Sequence, residues 1–318
     1  MQTDYAVVLL TQGLRPVELD RALQSVLAQT GVTTDIVVVG NGWQPTGLPD
    51  GVRAVGLPEN VGIPAGRNAG VAATTAPMIF FLDDDAWLPE PDTLLRMSRM
   101  FADNPKFGLI QPRVTDPEAT TDPTRWIPRM HKGDPRHSSA VFSVWEGAVA
   151  IPRDVFECAG GWPDPFFSAH DGLELAWRVR DWERIGRYAG GWPDAFFYAH
   201  EGIELAWRVW NCDRIVWYAG DLVAHHPVID PRRHDEYYRL NARNRVWLAR
   251  RNLPWLVGMP YVGTWTAVQR IRSRKDPQAW SAWWNGFREG WESDPGPRRP
   301  ISWSTVAEMA RYGRPPVV

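Results

Sequence analysis

The sequence is short of cysteine. Only Cys158 and Cys212 occur in 318 residues. Their spacing suits neither a metal site nor a disulfide framework, and so low a count suits a reducing cytosol. Long apolar runs are missing, since nothing reaches the ~18 residues of a spanning helix. A leader is missing as well. The N-terminus has no basic region, and Tyr5 to Thr11 is too short for the apolar core of a signal peptide. Charge of one sign is not in excess: 35 Lys and Arg stand against 37 Asp and Glu, a net −2. That balance argues against nucleic acid as the main partner. The turn from Thr11 to Pro16 lacks the Gly-x-Gly-x-x-Gly fingerprint, so a dinucleotide-dependent oxidoreductase ranks last. A nucleotidyltransferase is disfavoured because no Gly-rich, Arg-Lys signature lies near the N-terminus. What remains is a chain 44% apolar and 23% charged, the balance of a globular protein. It also holds 19 Trp, a residue suited to interfaces as well as cores.

The organising stretch is Met78 to Trp87, MIFFLDDDAW. Its five apolar residues predict a strand buried on both faces. Asp83, Asp84 and Asp85 follow at once. Three adjacent carboxylates at the end of a buried strand need compensation, and a divalent cation supplies it through oxygen ligands. The competing explanation is an acidic cap for a helix over Pro89 to Met100; three acids in a row favour the metal. Alternation along a strand puts Asp83 and Asp85 on one face and turns Asp84 away.

In chain order, Tyr5–Thr11 predicts a first strand and Pro16–Gln29 a helix with proline at its start. Asp35–Val39 predicts a second strand, ending in Gly40, Asn41 and Gly42, and Val52–Val55 a short third. Strand, helix and strand of these lengths make a βαβ unit and a parallel sheet. In Pro58–Ala76 the small residues Gly62, Gly66 and Gly70 permit close backbone approach. Arg67 and Asn68 sit among them, and an arginine there can present a fork to phosphate. A helix packed on the sheet through its small face is the compatible structural explanation.

The strand ending in Thr11, the VVVGNG turn, ENVGIPAGRNAG and FLDDDA together resemble the nucleotide-binding half of family 2 glycosyltransferases over about the first 110 residues. The resemblance implies a GT-A fold, a nucleotide-sugar donor, a divalent metal (Mn2+ or Mg2+) on an Asp-x-Asp motif, and inverting transfer. It implies Thr11 at the base or ribose pocket, Arg67 and Asn68 near the nucleotide, Asp83 on the ribose side and Asp85 on the metal. Asp84 and Asn41 join the nucleotide-sugar set. The family's acid at the end of the second strand is here Gly40, with Asn41 beside it. A UDP-sugar is the leading donor, and this departure leaves the base open.

Phe107–Arg113 predicts another strand, Thr115–Ser139 an irregular segment that is either a loop or a lid, and Ala140–Ile151 a strand pattern interrupted at Trp145–Gly147. Then residues 161–190 recur as 191–220 with two thirds of positions identical, a tandem duplication. In the resembled family this unit occurs once and supplies the general base before a helix that reads like ELAWR. The matching acids are Asp171 and Glu201. Glu174 and Glu204 read as helix-surface charges. The strand after copy two, RIVWYA, is the more apolar, and copy two runs directly into DLVAHHP. Glu201 is therefore the expected base, with Asp171 in reserve. The family often places a His near the metal. His225 and His226 fall on opposite faces of a strand, and His225 is the expected ligand.

Arg232–Arg251 predicts a helix. Leu253–Val268 is apolar but broken by Pro254, Gly258, Pro260 and Gly263, with basic clusters on both sides. It suits a membrane interface, a helix folded on the catalytic domain, or a dimer contact. Trp280, Trp283, Trp284, Phe287 and Trp291 mark an aromatic helix face, and the tail after Asp294 reads as loosely ordered. The expectation is an α/β, mostly parallel, Rossmann-type GT-A-like sheet flanked by helices over residues 1–230. A helical, membrane-apposed extension follows over 231–318. The expected activity is a metal-dependent inverting glycosyltransferase. It would use a cell-envelope glycan or lipid-linked acceptor, and lie in the cytoplasm or on the inner face of the cell membrane. A non-catalytic nucleotide-sugar-binding scaffold is the alternative.

Overall fold

The structure is a computed structural model that describes residues 3–118, 126–129, 133–162, 201–227, 237–296, 298–313 and 315–316. Its centre is one sheet of strands β1 (Thr3–Thr11), β2 (Val32–Gly40), β3 (Val52–Gly56), β4 (Met78–Asp83), β5 (Phe107–Thr115), β6 (Ser139–Ala140), β7 (Ala148–Pro152) and β8 (Ile215–His225). Their order is β3-β2-β1-β4-β7-β5-β8-β6. The β1–β2, β1–β4, β2–β3 and β5–β8 pairs are parallel, whereas β7 runs antiparallel between β4 and β5. Because β7 opposes both neighbours, β4 and β5 point the same way. Thr11, Gly40, Asp83, Thr115 and His225 therefore all end at one edge of the sheet, where open α/β sheets bind their ligands.

The first half follows its apolar pattern. Helix α1 (Pro16–Leu27) buries Leu19, Ala22, Leu23 and Val26 on one side of the sheet. Helix α2 (Ile63–Ala72) lies on the sheet through Gly66 and Gly70. A Cβ built at either would fall 2.3–2.4 Å from Leu10 or Val8, so only glycine permits this approach. The predicted helix over Pro89–Met100 is shorter at its start: α3 spans Thr93–Asp103, because Pro89 and Pro91 hold the entry in a turn. Helix α4 (Arg153–Ala159) follows β7.

The second half departs more from expectation. Helix α5 (Glu201–Asn211) comes from the second repeat copy and buries Leu205, Ala206, Trp207, Val209 and Trp210. Copy one from residue 163, including Asp171 and Glu174, lies outside the described residues, as does the boundary expected at residue 230. Helices α6 (Tyr237–Asn252), α7 (Trp255–Arg272), α8 (Pro277–Glu292) and α9 (Trp303–Arg311) complete the order. The apolar stretch read as broken is one continuous helix despite Pro260. The tail is not loose. Arg299 and Ile301 donate backbone hydrogen bonds to Arg251 and Asn252, and Ile301 and Met309 are buried. Val246, Leu248 and Leu253 share one apolar cluster with Val8 and Phe81 of the sheet.

Two further readings are corrected. Cys158 on α4 and Cys212 after α5 form a disulfide, with Cα atoms 6.2 Å apart. Spacing along the chain carried no sign of it, because packing of α4 against α5 brings the two together. The cysteine count therefore gives no argument for a reducing compartment. Glu204 is not a surface charge but fully buried, because α6 covers that face of α5. Its Oε1 accepts from Arg208 at 2.6 Å and from Arg251 at 3.0 Å. Burial pulls the Arg251 guanidinium down to about 9, against the opposing pull of Glu204.

Candidate active site

The site is built where β1, β4, β5 and β8 end together. Trp87, just after the acidic triplet, exchanges two backbone hydrogen bonds with His225 at 3.0 and 2.8 Å. This pairing ties the turn after β4 to the end of β8, and the next residue, His226, meets Asp85. His226 Nε2 lies 3.1 Å from Asp85 Oδ1. Ligand atoms of Asp83, Asp85 and His226 all lie within 4.8 Å of one another. Two carboxylates and an imidazole form a donor set that suits Mn2+ and its neighbours. His226 Nδ1 is buried without a hydrogen-bond partner.

The histidine that comes together with Asp83 and Asp85 is thus His226, not His225. His225 Nδ1 instead meets Thr115 Oγ1 at 2.7 Å, and its ring packs on Trp87 at 5.2 Å. Burial lowers its pKa. Only one of the adjacent pair reaches the acids, as alternation requires, but alternation gave no means of choosing which.

The other expected residues fall around this cluster. Thr11 donates to Asp84 Oδ2 at 2.6 Å, turning Asp84 away from Asp83 and Asp85. Burial pushes Asp84 up to about 6 in spite of that bond and the nearby Arg15, and the neighbouring carboxylates add to the rise. Burial would raise Asp85 too, but the hydrogen bond and charge of His226, with Arg15, hold it below the ordinary range. Arg67 Nη2 pairs with Asp83 at 2.7 Å and its guanidinium lies over Trp162. Its Nη1 is buried with no partner, a donor left open beside the triplet. Asn68 does not point at the cluster: its amide makes two bonds to the Trp162 backbone, at 2.9 and 3.0 Å. Asn41 is buried and bonded to Asn60, Val61 and Gly62. Gly40 beside it has no room for a side chain, since a Cβ there would fall 2.0 Å from the Trp43 carbonyl. Glu201 opens α5, and its side chain lies outside the described residues.

Sequence reasoning missed Arg15. Its guanidinium pairs with Asp85 and lies 3.5 Å from Asp84 Oδ1. It is a cation among the acids, and half its side chain is exposed. Nothing in its position before Pro16 signalled this. Also missed were Trp126 and Trp145, whose rings meet His226 edge-on at 5.1 and 4.9 Å. With Arg129, Phe142 and Glu146 they line a cavity of about 200 Å³ beside the acidic cluster.

Three acids, a histidine and a buried arginine at the sheet edge form an acidic centre whose donor set could hold a cation. Residues 15–160 match the family model described as glycosyl transferase family 2. That segment is a glycosyltransferase domain. The match holds Arg15, Arg67, the triplet and Trp145, but not His226 or α5. No curated protein matches the chain in sequence. Among solved structures, the chain resembles mannosyltransferase PcManGT from Pyrobaculum calidifontis, in complex with GDP-Man and Mn2+. They are 15% identical with a TM-score of 0.51, over 98% of this chain and 80% of that one. It also resembles S. aureus TarS 1-349 in complex with UDP-GlcNAc, at 10% identity and TM-score 0.56, over 96% and 83%. GalNAc-T7 with UDP, GalNAc and Mn2+ aligns at 13% identity and TM-score 0.58, over 98% of this chain and 57% of that one. These likenesses show the GT-A glycosyltransferase fold, with one central sheet flanked by helices and a helical C-terminal region.

Proposed function

We propose that the protein transfers a sugar from a nucleoside diphosphate sugar to an acceptor hydroxyl, in one displacement with inversion. The observation that carries this is the convergence of Asp83, Asp85 and His226 beside the open Arg67 donor. Asp83, Asp85 and His226 would hold a divalent cation, Mn2+ or Mg2+. Bound there, the cation supplies positive charge where the departing diphosphate gains negative charge. Arg67 Nη1 donates to a phosphate oxygen, adding a fixed dipole in a site that Trp145 and Trp126 shield. The acceptor oxygen attacks the anomeric carbon as the bond to the diphosphate breaks. The hydroxyl proton passes to the Glu201 carboxylate. The cavity walled by Trp126 and Trp145 suits the acceptor, because flat aromatic faces accept sugar rings. A UDP-sugar remains the leading donor; the resembling structures carry both uridine and guanosine donors. A cell-envelope glycan or lipid-linked sugar is the proposed acceptor.

The choice of Glu201 over Asp171 is supported by what α5 and its flank are made of. Trp210 is buried and donates to the Val141 carbonyl at 2.9 Å. Asn211 accepts from Ser302 and Thr305 of the tail. Cys212 is bonded to Cys158. The corresponding residues of copy one are Arg180, Asp181 and Trp182. They would put a guanidinium in the core and leave Cys158 unpaired.

Calorimetry with a panel of nucleoside diphosphates, with and without manganese, tests the donor site. We expect one nucleotide to bind only with metal, and Asp85→Ala to abolish that binding. Failure of every nucleotide to bind would remove the transferase reading. Transfer and donor-hydrolysis assays should show Glu201→Gln inactive and Asp171→Ala active. Metal-dependent binding without turnover in the parent would favour the scaffold. Deleting residues 163–192 leaves one intact unit ending in copy two, and should preserve both the disulfide and nucleotide binding.

A further inference from the structure

Helix α7 is apolar on two opposite faces, and only one of them is covered. Val257, Gly258, Tyr261 and Val262 are buried inward, with Tyr261 edge-on to Trp207 of α5 at 5.8 Å. The outward stripe recurs at helical spacing through Leu256, Met259, Gly263, Ala267 and Ile271, all exposed. Leu256 is 80% exposed and Met259 and Ile271 more than half, the surface of a helix that lacks a neighbour among the described residues.

Charge decides what covers it. From Pro254 to Lys275 the chain holds no Asp or Glu, although the protein has 37 of them. Arg270, Arg272, Arg274 and Lys275 crowd the C-terminal end of the stripe and the turn after it, all exposed. Beside them on α8, Trp280, Trp284 and Phe287 form a stacked ladder, with Arg270 over the Trp280 ring. Among the described residues no helix is long and apolar enough to cross a membrane. An apolar stripe about 23 Å long, ending in four cations and flanked by tryptophan, is the pattern of a helix lying flat on an anionic lipid surface. A second copy fits less well, since an isologous contact presents the same patch twice and brings no carboxylate to the cations.

We propose that α7, with the basic turn after it and the Trp280–Trp284 ladder, docks the protein on a bilayer containing anionic headgroups. The contact of α7 with Trp207 joins this surface to α5, the helix that carries Glu201. If the transfer reading holds, docking puts the acceptor side of the site next to lipid. The docking claim itself needs no donor chemistry, and its test is independent of it.

The test is co-sedimentation of the full chain with vesicles of phosphatidylcholine alone or mixed with phosphatidylglycerol. We expect binding to the mixed vesicles only, with release by salt. Replacing Arg272, Arg274 and Lys275 by Gln should weaken binding roughly fivefold per cation lost. Leu256→Glu with Met259→Glu should abolish it. Unchanged circular dichroism and thermal unfolding in these variants report that they are folded. Absence of vesicle binding, or equal binding to both vesicle types, overturns the proposal. A parent that is dimeric by sedimentation velocity, ignores vesicles, and becomes monomeric on Leu256→Glu assigns the face to a second copy instead.

Discussion

Two clusters of charge in this molecule are built from the same residue types and used in opposite ways. At the sheet edge, Asp83, Asp84 and Asp85 outnumber their partners. Arg15 and Arg67 reach them, yet Arg67 keeps a free buried donor and Arg15 is half exposed. Between α5 and α6, the carboxylate of Glu204 is shared by Arg208 and Arg251 with both Glu204 and Arg251 sealed from water. The first is open and short of positive charge; the second is closed, with Glu204 held between two arginines. An open deficit recruits a ligand, whereas a closed cluster fixes how two helices meet. Position along the sequence did not separate them. Accessibility and the balance of sign did.

The comparison breaks hardest at the closed cluster. Glu204→Ala leaves Arg208 and Arg251 without their carboxylate and should cost ~3–5 kcal/mol by urea unfolding. Replacing all three by Leu, Leu and Met should cost much less than that single change. If it does not, the cluster is more than a clamp. At the open cluster, Asp85→Asn should cost less in unfolding than Glu204→Ala, because Asp85 loses its pairs with Arg15 and His226 but strands no fully buried arginine. It should weaken manganese-dependent nucleotide binding by more than the roughly 10–100-fold expected for an outer-shell residue. His226→Ala should lose about tenfold or more in the same titration, against little for His225→Ala. Equal losses would mean that neither imidazole reaches the metal.

The smallest effect concerns pH. Asp84 is raised to about 6, so the folded state holds its proton more tightly than the unfolded chain does. The stability this contributes is present below the ordinary carboxylate range and is lost as pH rises through about 6. Metal-free Asp84→Asn, which carries no such charge, should therefore be more stable than the parent above about pH 6. The two should converge in acid, as thermal unfolding across pH would show.

The sequence revealed most where one physical pattern dominated. Five apolar residues followed by three acids specify a buried strand and an acidic end, and β4 and its triplet are as expected. Asp84 does turn from Asp83 and Asp85 as alternation suggested, although the turn after β4 and the bond from Thr11, not the strand itself, hold it there. For His225 and His226 alternation allowed one residue at the cluster but could not say which. Glu204, Cys158 and Cys212 were illegible for a different reason: their roles depend on which helix lies across from them, and spacing carries no sign of that. Arg15 was missed because a long flexible side chain can act well away from its own backbone. The tail after Asp294 looked loose from its prolines and arginines, yet Ile301 and Met309 anchor it.

The disulfide has a consequence for how such a gene can grow. Cys158 and Cys212 stand 54 residues apart, and the described chain between them runs only through Trp162 and from Glu201 onward. The extra 30 residues of the duplication therefore lie inside a covalent ring. Without one copy, the ring would have less than half its present circumference. Closing a ring twice as long costs only about 0.6 kcal/mol more. A tandem duplication copied into the ring leaves both anchoring helices, and the cystine that joins them, as they were. A protease that cuts within the added length makes a nick, and the two fragments stay tethered until the cystine is reduced.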